Sequence, residues 1–122
     1  MYGIGVDIVS IGRIEKSLER ESFLAKVYGK GEIALFASDN RIKINSLAAN
    51  FAAKEAFSKA LGTGVRGFDL TEVEILRDEL GAPYFELSGR AKQIAESRNL
   101  EFRVSLSHEK DKAIAFVVAE VK

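Results

Sequence analysis

Residues Asn50 to Gly64 read NFAAKEAFSKALGTG. Alanine, leucine, lysine and glutamate fill most of this stretch, all good helix formers, and neither Pro nor Gly interrupts it before Gly62. The composition predicts a helix through Leu61 that begins upstream, near Lys43 or Asn45. Gly62 stands where a left-handed C-cap glycine belongs, and Gly64 keeps the exit loop permissive. In helical projection Ala48, Ala49, Ala52, Ala53, Ala56 and Ala60 cover one broad side. Leu47, Phe51, Phe57 and Leu61 occupy the other, interleaved with Asn50, Lys54 and Ser58. A helix apolar nearly all round is expected to be buried. Glu55 and Lys59 lie one turn apart on it. They form either an ordinary helical ion pair worth about 0.2–0.5 kcal/mol, or a carboxylate and an ammonium held in a half-buried cleft for chemical use.

Upstream, Tyr2 to Val9 alternates strictly. Tyr2, Ile4, Val6 and Ile8 point one way; Gly3, Gly5, Asp7 and Val9 point the other. This is a strand with one face stripped by glycines, which lets a helix backbone come close. Asp7 projects from that bare face, either as a turn former or N-cap, with Ser10 a second candidate cap, or as a partner for the long helix. Ile11, Ile14 and Leu18 predict a short helix through Glu21, with Arg13, Lys16 and Arg20 on its outer side. That side is a solvated face or a docking surface for an acidic partner. Phe23, Leu24, Val27 and Tyr28 continue the apolar contacts, and Glu32 to Ala37 predicts another short helix ended by Ser38, Asp39 and Asn40.

Downstream, Val65 to Thr71 is expected to be a loop and Thr71 to Arg77 a strand. Asp78 to Gly81 is a hairpin connection into Tyr84 to Leu87, where Pro83 suggests a sheet edge. Ser88 caps a helix to about Arg98, stopped by Asn99. Glu101 to His108 is a strand with Phe102, Val104, Leu106 and His108 on one face. Ala113 to Val121, apolar on both faces, belongs at the centre of the sheet. The predicted class is α+β: one domain over residues 1–122, with an antiparallel-rich sheet around one long buried helix.

Composition narrows the function. The 122 residues suffice for one core. Eighteen basic and eighteen acidic residues balance to zero, so no global field draws the chain to nucleic acid or a membrane surface. The absence of a long apolar run and of a basic leader points away from a membrane or secreted location, leaving the cytoplasm by default. Without cysteine there is no disulfide, thiolate metal site or thiol nucleophile, and a single His makes zinc a poor fit. A metal here would be a hard cation on carboxylates. Asp7, Glu55 and Lys59 together suit magnesium and a phosphoryl or pyrophosphate group. GIGVD is not GxGxxG and no GxxxxGKS loop occurs, so neither nucleotide fingerprint applies. His108 is either structural, a hydrogen-bond donor to phosphate, or a proton shuttle.

Four segments occur in a telling order: GIGVDIVSIGRI at Gly3 to Ile14, FAAKEAFSKALGTG at Phe51 to Gly64, GAPYFEL at Gly81 to Leu87 and SLSH at Ser105 to His108. Together the chain resembles the holo-[acyl-carrier-protein] synthases, the small bacterial phosphopantetheinyl transferases, over essentially its whole length. The resemblance implies transfer of 4′-phosphopantetheine from coenzyme A to a serine of apo acyl carrier protein, for fatty acid biosynthesis, with adenosine 3′,5′-bisphosphate released. It assigns Asp7 and Glu55 to magnesium, with manganese as the alternative ion, and Lys59 to the pyrophosphate. Gly62 and His108 fall to the coenzyme, and Arg13, Lys16 and Arg20 to docking of the acidic carrier protein. It further implies a homotrimer with sites between subunits, so that His108 serves a site whose Asp7 and Glu55 belong to a neighbour. The alanine-rich helix offers apolar surface for such an assembly.

One position departs from the family pattern: Asn50 stands where an arginine is common. A contact to a coenzyme phosphate, the 3′-phosphate by preference, is lost with it unless Arg41 or Lys43 supplies the charge. The rival readings are the same transfer to carrier domains of polyketide or peptide synthases, and a non-catalytic coenzyme-A-binding relative. Against the first stands length, since broader transferases resemble two copies of this domain. Against the second stands the retention of Asp7, Glu55 and Lys59.

Overall fold

The glycines of the first strand set the arrangement. In a computed structural model that describes residues 2–63 and 66–122, β1 (Gly3–Ser10) lies directly under α4 (Ile44–Leu61). A Cβ on Gly3 would fall on the Ala60 carbonyl oxygen, and one on Gly5 on that of Ala56. The helix backbone therefore rests on the strand backbone, as the alternation of Tyr2 to Val9 predicts. The expectations at Gly64 and Val65 lie outside the described residues.

Between these two elements run α1 (Ile11–Ser17), α2 (Glu21–Val27) and α3 (Lys30–Phe36). The Ser10 hydroxyl caps α1 by accepting from the Arg13 N–H at 3.4 Å, so Ser10 and not Asp7 is the N-cap. The predicted helix to Glu21 stops at Ser17, because Leu18 turns inward to pack with Val27, Tyr28, Phe36 and Leu47. That reversal starts α2, a helix the spacing of Phe23, Leu24 and Val27 left unassigned.

After α4 a short 3-10 turn (Leu70–Glu72) precedes β2 (Val73–Arg77), which pairs antiparallel with β3 (Pro83–Leu87). Then follow α5 (Gly89–Ser97), β4 (Leu100–Glu109) and β5 (Lys112–Val121). Strand β5 is central, with β1 and β4 antiparallel on either side. The architecture is the expected α+β with α4 buried, but the strands divide into a three-stranded sheet and a two-stranded one. Pro83 does begin an edge strand. Small residues make the helix–sheet seam: Ala52, Ala53, Ala56 and Ala60 pack on Ala115, Val117 and Ala119. The opposite side of α4 packs Phe57 and Leu61 against Phe68, Val73, Ala91 and Leu100. Gly62 ends α4 in the left-handed conformation at φ 88°, its N–H donating to the Ser58 and Lys59 carbonyls. Among the described residues no helix is long and apolar enough to cross a membrane.

The outer face of the three-stranded sheet stays open. Ile4, Val6 and Ile8 are half exposed or more, and Ile114 and Phe116 of β5 continue the patch. The surplus apolar surface is thus on the sheet. It is not on α4, whose alanines are consumed inside the chain.

The close approach gives a direct test. Gly5→Ala should lower stability by about 1–3 kcal/mol, because backbone cannot yield to the new methyl as a flexible side chain would. Gly12→Ala, where a Cβ meets only the Ser10 hydroxyl at 3.8 Å, should be neutral or stabilising by up to about 1 kcal/mol, since alanine suits a helix better than glycine. Urea melts of the two variants compare them; equal melts would refute the backbone contact.

Candidate active site

Asp7 is the next inward residue of β1 after Gly5 and the first of that face to carry a charged side chain. Lys59 reaches down from α4, its Nζ 3.2 Å from Asp7 Oδ1 and 3.0 Å from the Val6 carbonyl oxygen. Glu55, one turn earlier, is half-buried. Burial raises its carboxyl above the usual carboxylate range, and the neighbouring Asp7 charge adds to this, while Lys59 pulls the other way. Lys59 therefore pairs with Asp7 rather than with Glu55 in the helical ion pair the spacing offered, and Glu55 feels both charges from beyond ion-pair distance. Lys59 is itself exposed, more so than the half-buried cleft expected for the pair. Exposed ion pairs contribute about 0–1 kcal/mol, so the cluster adds little to stability.

The donor set fits a magnesium ion. It consists of hard carboxylate oxygens, carries a surplus negative charge and opens to solvent, and magnesium commonly uses one or two carboxylates and takes its other oxygens from water and phosphate. Among the described residues no group of three or more His, Cys, Asp or Glu side chains converges. The remaining ligands would accordingly come from substrate and solvent.

His108 lies elsewhere. Asp7 pairs across β5 at Ala115, and His108 at Ala113. These residues sit on the two edge strands, with β5 between them. Two strand spacings amount to roughly 10 Å. His108 instead lines a cleft of about 270 Å³ with Asn45, Ser46, Ala49, Arg77 and Pro83. Gly62 caps α4 one turn beyond Lys59. Arg41 and Lys43 are exposed on the segment entering α4, where their N–H groups bond the Ser38 and Phe36 carbonyls. Arg13, Lys16 and Arg20 share one surface cleft of about 470 Å³ with Glu19. Arg13 also borders a second groove, formed with Val9, Ser10, Ile14, Phe23 and Phe51.

A buried polar network beside Glu55 went unread in the sequence. Lys54, fully buried, donates from Nζ to Glu32 Oε1 at 2.7 Å, to the Val73 carbonyl at 2.6 Å and to the Leu70 carbonyl at 2.9 Å. Glu32 also accepts from the Gly29 N–H at 3.0 Å, the Ile75 N–H at 3.1 Å and Asn50 Nδ2 at 2.8 Å. Burial pushes the Glu32 carboxyl up and the Lys54 ammonium down, and each charge opposes the shift in the other. Among the described residues no buried side-chain N or O atom lacks a partner. Asn50 is likewise fully buried. A signal did exist: Asn50 and Lys54, one turn apart, interrupt an otherwise apolar face, and polar groups there must be paired.

Residues 3–117 match the family model of the 4′-phosphopantetheinyl transferase superfamily. The holo-[acyl-carrier-protein] synthase of Clostridium beijerinckii is 46% identical over 121 residues, covering 98% of each chain. This chain belongs to the holo-[acyl-carrier-protein] synthase family. Among solved members of that family, the Neisseria meningitidis structure matches with a TM-score of 0.90 at 38% identity over 98% of each chain. The Helicobacter pylori synthase in complex with coenzyme A matches with a TM-score of 0.83 at 38% identity, covering 96% of this chain and 99% of that one.

Breaking the network from one side should be costly. Lys54→Met leaves Glu32 charged and buried, and should destabilise the fold by about 3–5 kcal/mol. The double variant Glu32→Gln/Lys54→Met should recover part of that loss. Chemical denaturation reads both; a double variant less stable than the single one would contradict a paired charge.

Proposed function

We propose that this chain transfers 4′-phosphopantetheine from coenzyme A to a serine of apo acyl carrier protein, in the cytoplasm, to prime fatty acid synthesis. The observation that carries the reading is the meeting of Asp7, Glu55 and Lys59 where β1 passes under α4, in a chain of this family. In the transfer the serine oxygen gives up its proton, which is released to solvent, and bonds to the phosphorus that bears pantetheine. The bond from that phosphorus to the bridging pyrophosphate oxygen breaks, and adenosine 3′,5′-bisphosphate departs with the bridging oxygen. Asp7 and Glu55 would hold magnesium, or manganese in its place. Such an ion supplies charge neutralisation and Lewis acidity at the pyrophosphate. The Lys59 ammonium is free to swing from Asp7 to the departing phosphate, where it stabilises charge that grows during transfer. Its exposure supports that role.

Arg13, Lys16 and Arg20 offer the carrier protein a basic surface, and the groove beside Arg13 runs along the end of β1, two residues past Asp7. Opposite charge of this kind raises the rate of encounter more than the final affinity. The open face of Ile4, Val6, Ile8, Ile114 and Phe116 supports assembly with copies of the chain, three in the reading favoured here. Assembly would bring the His108 cleft of one copy towards the Asp7 cluster of another, which the separation of the two within one chain requires. A non-catalytic relative would have no use for two carboxylates gathered about one lysine. Polyketide or peptide synthase carriers remain the rival clients, and exchange of carriers in the assay discriminates them.

Incubation with coenzyme A, magnesium and apo carrier protein should add one phosphopantetheine to the carrier by intact mass. Chelation with EDTA should abolish the gain, and Glu55→Gln should cut the rate by roughly 100-fold or more, the scale of losing a key transition-state contact. Undiminished transfer by the variant would remove Glu55 from the metal site; no transfer to any carrier would remove the reaction. Sedimentation should give three times the 13.4 kDa chain mass, and Phe116→Asp should give single chains with little activity. An active monomeric wild type would refute the assembly.

A further inference from the structure

The cleft at His108 holds a cation that the Asp7 cluster does not use. Arg77, the last residue of β2, is half-buried there. Its Nη2 donates to Asn50 Oδ1 at 3.0 Å, and its Nη1 to the Leu76 and Ile75 carbonyls at 3.2 and 3.4 Å. Its Cζ lies 5.0 Å from the centre of the Phe36 ring. Every one of these partners is neutral, and among the described residues no carboxylate comes within ion-pair distance of the guanidinium. Three bonds leave at least two of its five N–H donors over.

The orientation is imposed from inside. Asn50 Nδ2 donates to Glu32 Oε2 and, at 2.9 Å, to the Ile75 carbonyl. The amide oxygen is thereby turned towards Arg77. Where an arginine at position 50 would supply a guanidinium itself, the buried Asn50 receives one from β2. A positive charge thus sits directly against the side chain of position 50, delivered by β2.

We propose that Arg77, oriented by Asn50, binds the ribose 3′-phosphate of coenzyme A in this cleft, with His108 as a second donor. The assignment rests on the transferase reading: with the pyrophosphate at Asp7, Glu55 and Lys59, the remaining phosphate of coenzyme A is the one on the ribose. A guanidinium whose direct partners are all neutral, with Glu32 acting on it only from beyond Asn50, has spare donors in a fixed plane and suits a phosphate, which it can meet with two parallel bonds.

The test separates the two ideas because it does not depend on turnover. Calorimetry compares adenosine 3′,5′-bisphosphate with adenosine 5′-monophosphate as ligands of the wild type, Arg77→Gln, Arg77→Lys and Arg90→Gln. The wild type should favour the bisphosphate by about 10- to 100-fold, the range of a charged hydrogen bond. Arg77→Gln should shrink that margin to within about threefold, Arg77→Lys should fall between, and the Arg90→Gln control on α5 should keep it. The ratio of kcat/KM for coenzyme A over its 3′-dephospho form should follow the same order. A margin that survives Arg77→Gln, or an equal loss with both ligands, overturns the assignment even if transfer to the carrier proceeds normally. An Arg77-dependent margin in a protein that transfers nothing would keep the phosphate site and discard the transferase reading.

Discussion

The contact of two backbones, α4 on β1, governs the rest of the structure. Gly3 and Gly5 leave no side chain between the strand and the carbonyl oxygens of Ala60 and Ala56. Because the distance is so short, the remaining contacts on that side of the helix must be small, and they are: alanines of α4 meet alanines of β5. Asp7 is the first inward position of β1 with room for a functional side chain. The same approach places Glu55 and Lys59 along the flank of α4 that overhangs the sheet edge. Packing thus fixes the chemistry, since a wider helix–sheet gap would carry the Lys59 ammonium away from Asp7.

On its other flank α4 is held by charge. The Glu32–Lys54 pair joins α3, the turn at Leu70 and the start of β2 to the helix. Buried pairs of this kind add little net stability over apolar residues of equal size, but losing one partner is expensive. Their effect is to forbid other arrangements, since each donor and acceptor is matched in a single geometry. Asn50 extends the network outward to Arg77. One helix therefore carries a carboxylate cluster on one side and a cationic cleft on the other, each anchored by a different kind of force.

Much of this was legible in the chain, for reasons that are local. The Gly3–Gly5–Asp7 alternation showed which face of β1 receives a helix, the run from Asn50 to Leu61 showed the helix, and Gly62 showed its end. The partner of Lys54 was not legible, because Glu32 lies twenty-two residues away and nothing near Lys54 marks it as buried except the apolar face it interrupts. Helix α2 escaped because a single turn of spacing, Phe23 to Val27, does not by itself distinguish a helix from packed loop. The surplus apolar surface was placed on α4 in the sequence and proved to be on β1 and β5. A two-sided apolar strand reads the same whether its second face is covered by its own chain or left open.

The open face bears on the two clefts. Asp7 and His108 belong to the two edge strands of one sheet, and both side chains project from the side that α4 covers. The helix that positions Glu55 and Lys59 also lies between them as a barrier. A ligand with a reactive phosphate at one end and an anchoring phosphate at the other cannot thread a packed helix–sheet seam. It can reach both kinds of cleft where the β1 edge of one chain faces the β4 edge of another. The apolar surface available for such an association is the outer face of the sheet, where Ile4, Val6, Ile8, Ile114 and Phe116 are bare. On the proposed reading, then, the glycines that bring α4 down onto β1 also separate the anchor from the reacting centre, and assembly is what rejoins them.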